Sequence, residues 1–239
     1  MESRVFDRIE KKYLITSELK KELLSVIREH MEESGYYKSE VFNLYFDTDN
    51  YDFITDSIDW TVFKYKLRAR SYAGYDRVFL EIKTKRRGLE DNPGNKRRVM
   101  ITRRDFRKLL SGVKLEKLIS TSGKTSHDLQ IAREIDYLIL HFNLKPRILV
   151  MYQRESYRGD DNLRITFDEN LRYRDADLDF RKKKHDKMYF KDDKMIMEIK
   201  SQGALPLWLV HHLSQCRVFP ERFSKIGKVY ENIIKEENV

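Results

Sequence analysis

Residues 63–70 of the chain, FKYKLRAR, alternate strictly between apolar and cationic side chains. Because successive side chains of a β-strand point to opposite faces, a strand here has one apolar face and one fully cationic face. Lys64, Lys66, Arg68 and Arg70 form the cationic face. Like charges on one strand face repel one another. The sequence therefore raises the question of which anionic groups lie opposite these four cations.

The same alternation places charged side chains on one face of the other predicted strands. A polar face in contact with water is the usual explanation for a single strand. Here six or more strands share the pattern, while the predicted helices carry apolar stripes that also need burial. We therefore expect the helices to cover the apolar strand faces and the charged faces to point inward. These faces carry Arg8, Glu10 and Lys12; Glu81, Lys83 and Lys85; Lys96 and Arg98; Arg154, Ser156 and Arg158; Arg164, Thr166 and Asp168; and Glu198 and Lys200.

The order of elements is typical of an α+β fold built on a mostly antiparallel sheet. About eight predicted strands are interrupted by helices, among them segments 16–34 and 103–119. Closure of the sheet would remove its edges and would surround a hydrated lumen with the charged faces. The cations that line such a lumen repel one another unless a polyanion binds between them. The sequence thus predicts a closed, cationic β-barrel in a single domain over residues 1–239.

The charge of the chain is consistent with an anionic partner. It has 48 basic and 39 acidic residues, a net charge of +9 and a pI near 9.4. Nucleic acid, an acidic membrane surface and phosphate chains would all suit this charge. The aromatic side chains mostly lie on strand faces opposite the cations, which is unsuitable for base stacking. No nucleic acid is therefore expected, and the charge alone does not choose between the remaining anionic partners.

The sequence also bears on the compartment. The single cysteine, Cys216, excludes an internal disulfide and fits a reducing cytosol. No apolar run approaches the roughly 20 residues of a membrane-spanning helix, and the charged N-terminus lacks a signal-peptide core. We expect a cytoplasmic protein whose chain does not insert into a membrane.

Four acidic residues lie among the cations of these faces, at Glu10, Glu81, Asp168 and Glu198. Phosphate binding alone does not require them. Cross-strand ion pairing is the favoured explanation for Glu81 and Asp168. For Glu10 and Glu198 we favour a divalent metal, since carboxylate oxygens beside a phosphate site are the ligands that Mg²⁺ and Mn²⁺ prefer.

Eight segments occur in the order seen in a known family. The chain resembles the VTC domain, the polyphosphate polymerase module of the vacuolar transporter chaperone complex, over about residues 5–235. That family belongs to the triphosphate tunnel metalloenzymes, and the resemblance implies an eight-stranded antiparallel tunnel barrel with flanking helices. The matching segments are RIEKKY, KYKLRAR, FLEIKTKR, NKRRV, YQRESY, LRITFD, MEIKSQG with PLWL, and FSKIGKVY.

The resemblance also implies a set of site residues. It assigns phosphate-clamp positions on the strands, adds Ser224 and Lys225 on the last helix, and matches Glu198 to the metal-holding glutamate. We expect Arg68, Arg70, Arg154 and Glu198 to be catalytic, and Glu198 with Glu10 to hold the metal. The expected substrate-binding residues are Lys12, Lys83, Lys96, Arg164, Ser224 and Lys225.

The activity implied by the resemblance is transfer of the γ-phosphate of ATP to a growing inorganic polyphosphate chain, with Mn²⁺ or Mg²⁺ as cofactor. Inorganic triphosphatase activity and non-catalytic binding of polyphosphate remain alternatives, because the same cations serve all three. One departure favours the polymerase. The hydrolase and cyclase branches of the superfamily carry E-x-E-x-K on the first strand, where this chain has Arg8, Glu10 and Lys12.

Overall fold

The computed structural model describes residues 8–59, 62–86, 94–180, 186–221 and 224–237. Strands and helices alternate in groups, as the sequence predicted. In chain order the elements are β1 (Arg8–Thr16), α1 (Ser17–His30), β2 (Glu32–Asp47), α2 (Asp52–Ile58), β3 (Phe63–Tyr72), β4 (Val78–Arg86), β5 (Asn95–Ile101), α3 (Arg103–Leu110), α4 (Leu115–Ser120), α5 (Ser126–His141), β6 (Lys145–Arg158), β7 (Arg164–Arg174), β8 (Lys187–Met188), β9 (Lys194–Gln202), α6 (Leu207–Gln215) and α7 (Lys225–Glu237).

The predicted closed eight-stranded barrel is wrong. The strands form one nine-stranded sheet in the order β1-β9-β7-β6-β2-β3-β4-β5, with β8 paired to β7. Within the described ranges, β1 and β5 stand at the two ends of this order and do not pair with each other. The pairings of β1 with β9, β7 with β9, and β2, β3, β4 and β5 in succession are antiparallel. The fold is thus α+β on an open antiparallel sheet.

The charged strand faces do not require closure because acidic side chains compensate them locally. Glu81 pairs with Arg68 and Lys96, and Asp168 pairs with Arg154. Uncompensated cations on these faces would repel one another, and closure around a polyanion would relieve that repulsion. Cross-strand ion pairs remove much of that repulsion while the sheet stays open.

The described chain divides into two compact units, each with its own apolar core. The first unit comprises residues 8–40, 152–172 and 188–221. Its core lies between the apolar faces of β1, β7 and β9 and the helices α1 and α6. The core residues include Tyr13, Ile15, Leu23, Ile27, Ile165, Phe167, Met195, Met197, Ile199, Leu209 and Leu213.

The second unit comprises the described residues of 41–151 and 173–187, together with 224–237. Leu67 and Ala69, the apolar side of the alternating segment in β3, are fully buried in its core. Phe106 of α3 and Ile131 and Ile135 of α5 belong to the same core. The sequence prediction that helices cover the apolar strand faces is confirmed within each unit.

Two predicted helices end earlier than the sequence indicated. Segment 16–34 is helical only over Ser17–His30, and the chain becomes extended at Met31, whose side chain is buried. Segment 103–119 contains two helices, because Gly112 adopts φ 94°, a left-handed conformation that ends α3. Thr102 caps the start of α3, since its hydroxyl accepts a hydrogen bond from the backbone N–H of Asp105 at 3.0 Å.

A helix that crosses a bilayer needs about 20 mostly apolar residues. Among the residues that the structure describes, no helix is long and apolar enough to do so.

Candidate functional site

The charged strand face of the first unit contains a recess. Arg154 of β6, Arg164 and Thr166 of β7, and Glu198 and Lys200 of β9 line it. The register of the antiparallel pair β7–β9 places Arg164 opposite Lys200 and Thr166 opposite Glu198. Sequence parity predicted that these side chains share a face, and the structure brings them together.

Arg154 is held in a fixed orientation by the buried carboxylate of Asp168. Its Nε lies 2.6 Å from Oδ1 and its Nη2 lies 2.8 Å from Oδ2, which is a bidentate ion pair. The guanidinium group also lies 5.2 Å from the ring centre of Tyr152. Burial works to lower the pKa of Arg154, but Tyr152, Asp168 and Glu198 together keep the pKa well above its ordinary value. The predicted pairing of Asp168 is confirmed.

The carboxylates of Glu10 and Glu198 meet at one cation. The Nζ of Lys200 lies 3.4 Å from Oε2 of Glu10 and 3.0 Å from Oε1 of Glu198. Because β1 and β9 are antiparallel, Glu10 lies opposite Lys200 and Lys12 lies opposite Glu198. Two carboxylates therefore reach a common point next to the cations that line the recess. This donor set fits a divalent cation that completes its coordination with phosphate oxygens and water.

Thr166 is a functional candidate that the sequence did not single out. Its hydroxyl oxygen lines the recess, is buried, and has no hydrogen-bond partner among the residues that the structure describes. A buried hydroxyl without a partner costs free energy, so such a group often bonds to a ligand or water. The alternation of the strand did place Thr166 on the same face as Arg164 and Asp168. A threonine on a strand, however, gives no reason to expect that its hydroxyl lacks a hydrogen-bond partner.

The second unit has a separate cluster around Glu81 of β4, whose side chain is 1% exposed. Its Oε2 accepts hydrogen bonds from Arg68, with 2.8 Å to Nε and 2.7 Å to Nη2. Its Oε1 lies 2.6 Å from Nζ of Lys96, and Arg70 Nε lies 4.0 Å from Oε2. The predicted cross-strand pairing of Glu81 is confirmed, and its carboxylate gathers three of the predicted site cations.

The pKa values in this cluster follow from burial and charge. Burial raises the pKa of Glu81, but Arg68, Arg70 and Lys96 outweigh it and lower the pKa from 4.5 to about 2. Partial burial, with help from the two guanidinium groups, lowers the pKa of Lys96 from 10.5 to about 8, although Glu81 opposes this. The cluster therefore remains cationic at neutral pH with one buried carboxylate at its centre.

The neighbouring strand β2 orients the two arginines from the other side. The side-chain amide oxygen Oδ1 of the buried Asn43 accepts a hydrogen bond from Arg70 Nε at 2.8 Å. Tyr45 accepts one from Arg68 Nη1 at 3.3 Å. Burial alone would raise the pKa of Tyr45, yet Arg68, Lys66 and Arg70 lower it below the ordinary value. This direction reports the positive potential of the cluster.

The last helix brings two further predicted residues to the second unit. Ser224 caps α7, since its hydroxyl accepts a hydrogen bond from the backbone N–H of Gly227 at 3.3 Å. The same hydroxyl lies 2.9 Å from Nζ of Lys66 on β3. Lys83 lies opposite both Lys66 and Lys96 in the sheet, and Lys225 begins α7. Lys66 was part of the predicted cationic face but not of the predicted site, and its contact with Ser224 adds it.

The predicted site residues are thus found in two groups, one in each unit. Within each group, charged side chains from several strands share one face, as parity predicted. The first group contains Glu10, Lys12, Arg154, Arg164 and Glu198, and the second contains Arg68, Arg70, Lys83, Lys96, Ser224 and Lys225.

We predict that Glu81→Gln destabilises the protein at neutral pH by about 3 kcal/mol, because it removes the buried partner of Arg68 and Lys96. The lowered pKa of Glu81 stabilises the fold above pH 4.5, and this contribution is lost as the pH falls from 4.5 towards about 2. Urea unfolding followed by circular dichroism at pH 7 and at pH 3 measures both effects.

The wild-type protein should lose more stability than Glu81→Gln between these two pH values. The control is Glu116→Gln, which removes the acidic partner of an exposed ion pair with Arg133 and should cost less than about 1 kcal/mol. Equal pH dependence of the wild type and Glu81→Gln would show that Glu81 does not hold the cluster together.

Both the sequence and the backbone of this chain are similar to those of known proteins. The family model of the VTC domain matches residues 7–233, which is nearly the whole chain. The Vacuolar transporter chaperone complex subunit 4 of Schizosaccharomyces pombe (strain 972 / ATCC 24843) is 26% identical over 144 residues. That match covers 55% of this chain and 20% of the yeast protein, so the chain corresponds to a fifth of that relative's length.

One solved structure has a similar fold over nearly the whole chain. HpAC1 from Hippeastrum, a candidate adenylyl cyclase with a dominant triphosphatase activity, is similar with a TM-score of 0.54 at 15% identity. The similarity covers 94% of this chain and 96% of that chain. The PH1819 protein from Pyrococcus horikoshii OT3 gives a TM-score of 0.49 at 14% identity, over 94% of this chain and 99% of that chain.

Proposed function

The chain belongs to the VTC domain family, and we propose that it transfers the γ-phosphate of ATP to a growing inorganic polyphosphate chain in a metal-dependent reaction. The observation that carries this proposal is the recess in the first unit. Arginine and lysine side chains, an unpaired threonine hydroxyl and the carboxylate of Glu198 line it, and the carboxylate of Glu10 contacts Lys200. These groups provide what a phosphate and its counter-cation require.

Phosphoryl transfer needs little covalent chemistry from a protein. Its transition state is loose, so positioning of the phosphates and neutralisation of their charge supply most of the catalysis. No protein nucleophile is required. Cys216 and the histidines therefore have no role in the proposed reaction.

In the first unit, we assign the cations that line the recess to the phosphates that react. Asp168 fixes Arg154 before any substrate binds, so little side-chain entropy is lost when the guanidinium group contacts a phosphate oxygen. Arg164 and Lys200 contribute two more charges, and Lys12 lies opposite Glu198 on the neighbouring strand. The hydroxyl of Thr166 donates to a phosphate oxygen in this proposal.

In the second unit, we assign Arg68, Arg70 and Lys96 to phosphate binding as a preorganised group. Glu81 holds Arg68 and Lys96 through short hydrogen bonds, and Asn43 holds Arg70. Lys83, Ser224 and Lys225, which the resemblance assigned to the substrate, belong to the same unit. Prepositioned cations stabilise charge without having to reorganise during the reaction.

The carboxylates of Glu10 and Glu198 would hold the divalent metal, Mn²⁺ or Mg²⁺. Their oxygens already reach a common cation, the ammonium group of Lys200. Mg²⁺ is usually held by one or two carboxylates together with substrate phosphates and water, so this donor set fits. Such a metal supplies neutralisation of the charge that develops on the leaving phosphates.

Labelled ATP distinguishes this function from its alternatives. The protein is incubated with γ-labelled ATP, a short polyphosphate primer and Mn²⁺, and the products are separated on a gel. We expect label in lengthening chains. Release of labelled orthophosphate without chain growth would show that water replaces the phosphate acceptor, and a parallel reaction with inorganic triphosphate in place of ATP would identify an inorganic triphosphatase by release of orthophosphate. ATP and triphosphate that both stay unchanged would identify a non-catalytic binder of polyphosphate.

Adjacent lysines of β1 provide a matched pair for testing the charged face. Lys12 shares the face of Glu10, whereas Lys11 is exposed on the face of Tyr13. We predict that Lys12→Ala lowers chain synthesis on the order of 100-fold, because it removes a charge beside the reacting phosphates. Lys11→Ala removes the same charge from the opposite face and should leave the rate within about twofold of the wild type. Equal rates for the two variants would contradict the assignment of this face.

The role of Glu198 separates metal binding from phosphate binding. Glu198→Gln keeps the size of the side chain but removes its charge. We predict that this variant binds triphosphate in the absence of metal as tightly as the wild type or more tightly, because an anion next to the phosphates is lost. Metal-dependent turnover should fall on the order of 100-fold. Calorimetric titration with triphosphate and the labelled-ATP assay measure the two effects.

The control is Glu33→Gln, which changes an exposed acid on β2 and should alter neither property. If Glu198→Gln retains its turnover at an unchanged Mn²⁺ concentration, Glu198 is structural and the proposed metal site is wrong.

A further inference from the structure

A second group of potential metal ligands lies in the first unit, on helices instead of the strands that line the recess. His212 lies in α6, and Cys216 caps the end of that helix. Residues four positions apart share one face of a helix, so both side chains point to the same side. Glu22 of α1 completes the group.

The distances within this group suit a single ion. The Sγ of Cys216 lies 3.2 Å from Oε1 of Glu22 and 3.9 Å from Nε2 of His212. All three ligand atoms lie within 4.8 Å of one another. In a tetrahedral zinc site, bond lengths of about 2.3 Å to sulfur and about 2.0 Å to nitrogen or oxygen place the ligand atoms about 3.5 Å apart. The two distances to sulfur bracket that value.

The packing of α1 against α6 fixes this arrangement. Leu23 and Ile27 of α1 and Leu209 and Leu213 of α6 are buried in the same apolar core. At another point of the two helices, the rings of His30 and Trp208 stack with centroids 4.4 Å apart. The helices therefore cannot separate without exposing apolar surface. Glu22, His212 and Cys216 are held near one another even without a metal.

We propose that Glu22, His212 and Cys216 form a binding site for a thiophilic divalent cation of the zinc class, which joins α1 to α6. A thiolate, an imidazole and a carboxylate favour zinc, and cobalt as its substitute, over Mg²⁺ or Ca²⁺, which prefer oxygen ligands. Three protein ligands leave the fourth tetrahedral position to water. Glu22 is exposed and the other two side chains are half-buried, so the ion can enter from solvent.

Binding exchanges a proton for the metal. The thiol of Cys216 now donates a hydrogen bond to Glu22, and burial together with this bond raises the pKa of Cys216 to about 11. The S–H bond breaks when the metal–sulfur bond forms, and the proton passes to solvent. No electron is transferred. The site is independent of the proposed phosphoryl transfer, whose metal would be held by Glu10 and Glu198.

Cobalt alone, without ATP or polyphosphate, provides the test. Because Cys216 is the single cysteine of the chain, a thiolate-to-cobalt charge-transfer band can arise only from that residue. We expect the wild-type protein to develop this band with one equivalent of Co²⁺ and to lose it when Zn²⁺ is added. Cys216→Ser should abolish the band, and His212→Gln or Glu22→Gln should weaken Co²⁺ binding at least about tenfold.

His211→Gln is the matched control. His211 is the exposed neighbour of His212, and its ring nitrogen Nε2 contacts Gln215 instead of Cys216. This variant should bind Co²⁺ as the wild type does. A wild-type protein without the band, or a His212→Gln variant that binds Co²⁺ with wild-type affinity, would overturn the proposal.

A measurement on the wild type tests the site even if the variants fail to fold. Zn²⁺ should protect Cys216 from alkylation by iodoacetamide, and a chelator should restore the reaction. Alkylation at the same rate with and without Zn²⁺ would refute the site even if no variant is available.

Discussion

The pairing of two buried carboxylates with cations of the strand faces is the interaction on which the charged side of the sheet depends. Glu81 and Asp168 are 1% and 0% exposed, and each accepts short hydrogen bonds from an arginine. An unpaired buried charge is strongly destabilising, so each carboxylate requires its arginine as much as the arginine requires the carboxylate. Arg68 and Arg154 are consequently rigid, and their orientation does not depend on a bound phosphate.

This pairing also explains why the sheet need not close. Without the acids, the cations of the alternating strands would repel one another. Closure around a polyanion would then relieve this repulsion. With Glu81 among Arg68, Arg70 and Lys96, the repulsion is largely compensated in place. The remaining positive charge is available to a ligand. Preorganised cations of this kind suit phosphoryl transfer, which depends on charge stabilisation more than on covalent chemistry.

The sequence predicts what depends on local periodicity and not what depends on distant pairing. Parity placed Leu67 in the core and Arg68 on the charged face because the two-residue repeat of a strand fixes both. Whether β1 pairs with β5 depends on the twist and curvature of the intervening strands, which periodicity does not contain. The break at Gly112 depends on one residue's left-handed backbone. The unpaired hydroxyl of Thr166 depends on what surrounds it in three dimensions.

Two acids of the charged faces, Glu81 and Glu10, differ in how strongly they bind their cationic partners. Glu81 has contacts of 2.6 to 2.8 Å and almost no exposure, so removing its cations would leave a buried charge. Glu10 is 39% exposed, and its contacts with Lys12 and Lys200 are 3.7 Å and 3.4 Å. Exposed ion pairs of this length contribute little free energy. Exchange of an ammonium group for a metal ion at Glu10 therefore costs little free energy. The same exchange at Glu81 would break the ion pairs that orient Arg68. Burial thus separates Glu81, which positions its cations permanently, from Glu10, which is able to accept a metal ion with the substrate.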